Sequence, residues 1–172
     1  MNQHLERLNG LAGFLQPVVL ELMTRCARDL KRPLLVVRGW SSYTEQLQKY
    51  QQGRTLDRET NEWVETEPAR IVTRAQPGMS AHNVVMQGTM AKAAVGVDLI
   101  PLLDNGLPDW NVSLAFWDQL YPLAWKVGLD PLGDRIGAYL QGDLGHFEEP
   151  GWKLKLQRLG LMQPVGGEAV GV

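Results

Sequence analysis

Two of the three histidines in this 172-residue chain stand in segments suited to chemistry. His82 lies in Ser80-Ala81-His82-Asn83. His146 lies in Gly142-Asp143-Leu144-Gly145-His146-Phe147-Glu148. Between them, Val95 to Ile100 alternates as a strand would, with Val95, Val97 and Leu99 on one face and Gly96, Asp98 and Ile100 on the other. A carboxylate on such a face is costly unless it has a partner, and a metal ion is one. Two histidines and one aspartate make a sensible catalytic zinc site, because three protein ligands leave a fourth position for water. Asp143, three residues before His146, is the best-placed general base, provided that Gly145 permits a turn bringing the two to one side. Spacing alone leaves open a plainer reading, in which these are two unrelated histidines and a structural aspartate. The third histidine, His4, sits in a polar N-terminal helix start and is expected to be solvated.

These residues need a scaffold. Residues 15–31 repeat apolar positions at three and four, which predicts an amphipathic helix. Residues 34–37 are a short apolar run ended by Gly39, expected as a buried strand. Ser42-Tyr43-Thr44-Glu45 fits a capping box, so a second helix should run over about 43–51. Residues 54–70 are polar and read as an excursion, a hairpin around Trp63. Ile71-Val72-Thr73 is a candidate strand. Residues 84–94 have no clean period, and 84–92 read as an inserted loop. Residues 113–127 should form a third helix, capped by Ser113 and kinked at Pro122, with Trp117 and Trp125 in the core. Residues 137–149 hold the last strand signal, and Trp152 should anchor a final helix. The order predicts an α+β fold: a small, mainly antiparallel sheet packed with helices in a single domain over residues 1–160, followed by a loose Gly-rich tail over 161–172.

Composition sets limits. A hydrophobic fraction of 44% suits one domain with a real core, and a net charge of -2 argues against a chain built to coat nucleic acid. The lone Cys26 excludes an internal disulfide and the four-sulfur zinc sites, and it falls on the apolar stripe of the first helix. No stretch is apolar enough to insert in a membrane, and the start lacks the pattern of a signal peptide.

The segments together resemble a known family. Ser80-Ala81-His82-Asn83 followed by Ala94-Val95-Gly96-Val97-Asp98-Leu99 resembles the S-x-H-N…G-x-A-x-D core of the peptidoglycan zinc metallopeptidases. These include the D-alanyl-D-alanine carboxypeptidases and the L-alanyl-D-glutamate endopeptidases of phage lysins. Asp143 to Glu148 resembles their closing D-x-x-H-F-E motif, and Val36 to Gln46 their G-Y-R-S-x-x-E-Q segment. Gln52-Gly53-Arg54-Thr55 and Ile71 to Gly78 resemble the phage-lysin branch. Three departures stand out. Fifteen residues separate His82 from Asp98, more than in the family; the small residues before the aspartate are exchanged; and the family arginine after Gly39-Trp40 is here Ser41.

The resemblance implies a hedgehog or D-Ala-D-Ala peptidase-like fold with one zinc ion per chain on His82, Asp98 and His146. Asp143 would be the catalytic acid/base, Phe147 a core residue, and Ser80 and Arg38 the substrate side of the site, with Arg38 or Arg74 standing in for the absent arginine. It further implies an endolysin that hydrolyses the L-alanyl-D-glutamate bond of peptidoglycan peptide stems. Such a protein would be a monomer made in the cytoplasm and would reach the wall through a membrane pore during bacteriophage lysis, with Trp63 as a wall contact. The alternatives are a D-alanyl-D-alanine carboxypeptidase on the same scaffold and a non-catalytic wall-binding module.

Overall fold

A computed structural model describes residues 3–85, 92–134 and 143–158. Its centre is a four-stranded antiparallel sheet in the order β1-β6-β8-β7, formed by β1 (Leu34–Arg38), β6 (Gly96–Pro101), β8 (His146–Glu148) and β7 (Asp130–Pro131). The other elements are α1 (Gln3–Asn9), α2 (Leu15–Arg25), α3 (Tyr43–Gln51), α4 (Leu114–Val127), α5 (Trp152–Arg158), the hairpin β2 (Arg54–Asp57)–β3 (Glu62–Glu65) and the short pair β4 (Val84–Val85)–β5 (Lys92–Ala93). The fold is α+β, as the sequence predicts.

The alternation in β6 decides which face does what. Val97 and Leu99, with Phe147 from β8, point into a core shared with Leu15, Val19 and Leu22 of α2 and Trp117, Leu120 and Tyr121 of α4. The Tyr121 ring meets Phe147 edge-on at 6.2 Å. Asp98 pairs directly with His146 across the β6–β8 ladder, and directly paired residues project from the same face of a sheet. On the other side of β6, the register slips between Val36 and Arg38, which sets Arg38 opposite Asp98. A bulge of this kind re-aims a side chain, and here it adds a cation to the face that bears Asp98 and His146.

Several sequence expectations are met in detail. Ser42 caps α3 with a full capping box, its hydroxyl accepting from Glu45 N while the Glu45 carboxylate accepts from Ser42 N. Cys26 and Phe147 are fully buried, and Trp152 is buried on α5. Others are corrected. The first helix is α-helical only to Arg25; Cys26–Leu30 widen into a π-turn that ends at Lys31 in a left-handed conformation. Ile71 to Thr73 are not a strand: Ile71 N donates to Pro68 O in a turn, and Thr73 O accepts from the Arg54 side chain rather than from a neighbouring strand. Trp125 is 49% exposed, outside the buried stripe of Phe116, Trp117, Leu120, Tyr121 and Ala124. His4 is half-buried rather than solvated, its Nδ1 accepting from Val36 N at 3.1 Å. Of the 84–92 insertion, the two ends pair as β4 and β5. Residues 86–91, the early part of the 137–149 segment, the boundary at 160 and the 161–172 tail lie outside the described residues.

Candidate metal centre

His82 reaches the site from a loop held by backbone bonds. Asn83 donates to Ser41 O at 2.7 Å and accepts from Gly78 N at 2.6 Å; Ser41 N donates to His82 O at 2.7 Å. The buried Ser80 hydroxyl accepts from His82 N at 3.3 Å and tightens the turn. His146 enters from the other direction. A turn closed by His146 N donating to Asp143 O lets Asp143 precede the strand rather than lie on it, so the two-sided problem of a regular strand does not arise. That turn needs glycine at 145, where a Cβ would stand 2.5 Å from Leu99 O. Gly96 is small for an equally local reason: a Cβ there would meet Ala81 Cβ at 2.7 Å and the His146 ring at 3.1 Å.

The three side chains converge. His82 Nε2 lies 3.1 Å from Asp98 Oδ1, His146 Nδ1 lies 2.8 Å from the same oxygen, and the two nitrogens are 3.1 Å apart. His82 and His146 are buried and Asp98 is half-buried. His82 Nδ1 lies 2.9 Å from Gly39 O, an acceptor only, so Nδ1 carries the proton and Nε2 offers its lone pair. His146 Nε2 faces the Glu148 carboxylate at 3.4 Å, which fixes its proton in the same way and turns the Nδ1 lone pair inward. Trp152 Nε1 donates to that Glu148 carboxylate at 3.1 Å and holds it. Two imidazole lone pairs and a carboxylate oxygen thus meet at one point, which a cation satisfies. Adjacent ligand atoms in a tetrahedral zinc site sit about 3.3 Å apart, close to the spacing here. The donor set fits zinc, and the outward hydrogen bonds are of the kind that orient metal-bound histidines.

The same contacts shift the two histidines in opposite directions. Burial alone would lower the His146 pKa, but the hydrogen bonds to Asp98 and Glu148 and the charges of Asp98 and Asp143 outweigh it and raise it to about 10. Burial lowers the His82 pKa against the opposing charge of Asp98. Burial would raise the Asp98 pKa, yet the His82 charge and the bonds to both histidines bring it well below the usual carboxylate range.

Around this centre stand two further groups. Asp143 is open to solvent on one side, and burial on the other raises its pKa, with Asp98 adding and His146, His82 and Arg38 opposing. Burial lowers the Arg38 pKa while the charges of Asp98, Asp143 and Glu45 sustain its cation. Arg38 Nε donates to Ser41 Oγ at 3.0 Å and Nη2 to Gln46 Oε1 at 2.9 Å; Gln46, only 1% exposed, donates in turn to Ala75 O at 2.8 Å. Arg74 instead pairs with Glu65 at 3.3 Å on the surface. Sequence reasoning missed Gln46, Gly39 O and the Glu148–Trp152 pair. Gln46 had a signal, as a polar residue on the inward side of a capped helix; a carbonyl partner such as Gly39 O has none.

Fold and site together describe a small α+β protein with a His–Asp–His cluster whose three ligand atoms could hold a metal ion. No protein-family model matches the chain, and no curated protein matches it. Among solved structures it is similar to a vancomycin-resistance D,D-pentapeptidase, VanY of a VanB-type resistance cassette. To a mutant of that enzyme in complex with Zn(II) it shows 15% identity and a TM-score of 0.48, over 88% of this chain and 80% of the other. To VanYB in complex with D-alanine-D-alanine it shows 14% identity and a TM-score of 0.49, over 88% and 78%.

Proposed function

We propose that this protein is a zinc-dependent peptidoglycan peptidase, with His82, Asp98 and His146 holding one zinc ion. The observation that carries the reading is the meeting of two outward-fixed imidazole lone pairs and one carboxylate oxygen within 3.1 Å of one another, with Asp143 beside them. Zinc bound there supplies a Lewis acid that polarises a carbonyl and acidifies water. Asp143 takes the proton of the attacking water as its oxygen bonds to the amide carbon, and returns it to the leaving nitrogen as the C–N bond breaks. Its raised pKa suits a base that must also act as an acid. Arg38, held by Ser41 and Gln46, directs its charge to the substrate's carbonyl or carboxylate oxygen. Ser80 serves substrate binding from beneath, by setting the His82 turn.

The substrate we propose is the peptide stem of the bacterial wall, cut at L-alanyl-D-glutamate by a monomeric endolysin. The lysin-like Gln52 to Thr55 and Ile71 to Gly78 segments support this. A specific observation favours a second reading: Arg38 lies 3.0 Å from the Ser41 hydroxyl, where the family arginine is absent, and a cation there suits the free carboxylate bound by a D-alanyl-D-alanine carboxypeptidase. Mass spectrometry of purified stems after digestion, with and without a chelator, separates the two. New N-terminal D-glutamate supports the endopeptidase, and release of single D-alanine supports the carboxypeptidase. Stems left intact by zinc-loaded protein would leave a wall-binding module.

A further inference from the structure

α3 and the β2–β3 hairpin flank an open cleft of about 440 Å³, inside the roughly 300–1,000 Å³ range of small-ligand sites. Tyr50 and Leu47 of α3 form one wall and Trp63 of β3 the other, with Asn61, Glu62 and Gln76 among the polar lining. The walls are fixed to one another. Arg54 is buried, stacks on the Tyr50 ring at 4.1 Å, donates to the Tyr50 and Thr73 carbonyls and pairs with Glu65 at 3.2 Å. Gln76 lies 3.4 Å from the Tyr50 hydroxyl. Asn61 holds a left-handed φ of 58° in the hairpin turn.

The lining states what it can take. Two aromatic rings offer flat apolar faces, while two amides, a phenol and a carboxylate offer hydrogen bonds in both directions. Among the described residues that line the cleft there is no lysine or arginine, and Glu62 disfavours an anion. An apolar ligand would strand the polar rim. A neutral, polyhydroxylated ring with one C–H face satisfies every wall. Residues next to the cleft lining in the chain connect to Arg38: Gln46, one residue before Leu47, accepts from Arg38, and it donates to the carbonyl of Ala75, one residue before Gln76.

We propose that this cleft binds an N-acetylated sugar ring of the wall glycan, with Trp63 as the stacking platform. The identity of the sugar rests on the peptidase reading. In a wall stem, L-alanine is attached to such a sugar through a lactyl group, so a sugar held in this cleft lies at the L-alanyl end of the stem. It gives no grip on a distant D-alanyl end. The cleft therefore favours the L-alanyl-D-glutamate bond.

The test is a calorimetric or NMR titration of zinc-free, full-length protein with N-acetylglucosaminyl-N-acetylmuramyl-L-alanine amide, against L-alanine amide alone. Saturable binding of the sugar compound only is expected. Trp63→Ala should weaken it by at least about tenfold, while Trp63→Phe stays within about threefold, since a ring is retained. Asn61→Gly keeps the turn and removes one rim amide, so it decides the matter should Trp63→Ala not fold; a loss of about threefold or more is expected. No saturable binding in the low millimolar range, or binding unchanged in these variants, overturns the subsite. Because no turnover is involved, protein that binds the sugar but cuts no stem keeps the cleft and loses the peptidase reading. Protein that cuts but does not bind loses the cleft alone.

Discussion

The metal centre and the hairpin cleft are secured in opposite ways. At the centre, each ligand is fixed from behind: His82 by Gly39 O, His146 by Glu148, and Asp98 by its place between two strands. The hairpin is two exposed strands tied down through Arg54, whose side chain is buried where nearly all its neighbours are not. A site that must hold a charged ion in one geometry draws on the core, and one that receives a soft, hydrated ligand is served by a single anchor.

The sharpest way to break this contrast is at the ligands. His146→Ala should lose zinc and all measurable wall-lytic activity, and metal analysis beside wild type reads the outcome; equal zinc in both would remove the centre. Next comes Asp143→Asn, which should keep the zinc while turnover falls by about 10²–10⁴-fold. Turnover within a few-fold of wild type would move the base to another group, Glu148 first.

Zinc affinity should also depend on pH, because zinc and a proton compete for the Nδ1 lone pair of His146. With that pKa raised from 6.5 to about 10 in the metal-free protein, the proton's stabilising pair with Asp98 is fully present below pH 6.5 and is lost as the pH climbs through 10. Zinc binding runs the other way and should tighten by about tenfold per pH unit across neutrality. Competition titrations at several pH values check it, and a flat profile would mean that His146 is already neutral.

Smaller effects sharpen the comparison. Gly96→Ala should push on the His146 ring and cost about 1–3 kcal/mol of stability together with part of the zinc, seen as a lower melting temperature and partial occupancy. Arg54→Ala should cost about 1–3 kcal/mol, felt locally. Hydrogen exchange should accelerate in residues 54–73 while the four-stranded sheet keeps its protection, and a global loss of protection would show that the hairpin is no separate unit.

Much of this was legible in the sequence where one residue pattern has one physical meaning. The capping box at Ser42, the alternation around Asp98 and the buried Cys26 follow from local rules and hold in the fold. What escaped depends on partners distant in the chain. His4 looks solvated until β1 presents the Val36 amide to it. Arg38 was one of two candidate cations until a bulge turned it opposite Asp98, and Ile71 to Thr73 had the right residues for a strand but bond to a local turn and to the Arg54 side chain. The convergence of His82, Asp98 and His146 rests on resemblance in the sequence and becomes a distance only once β6 and β8 pair.

That pairing also fixes the order of events during folding. His146 stands 48 positions after Asp98 and 64 after His82, so the disordered chain can bring the three together only by closing long loops, at an entropic cost and at the slow pace of non-local contacts. Zinc would therefore have little hold on the nascent chain and would bind after the sheet has zipped. The ion would then act as a late latch, slowing unfolding far more than it hastens folding, and a chelator should shorten the lifetime of the native state while leaving the refolding rate nearly untouched.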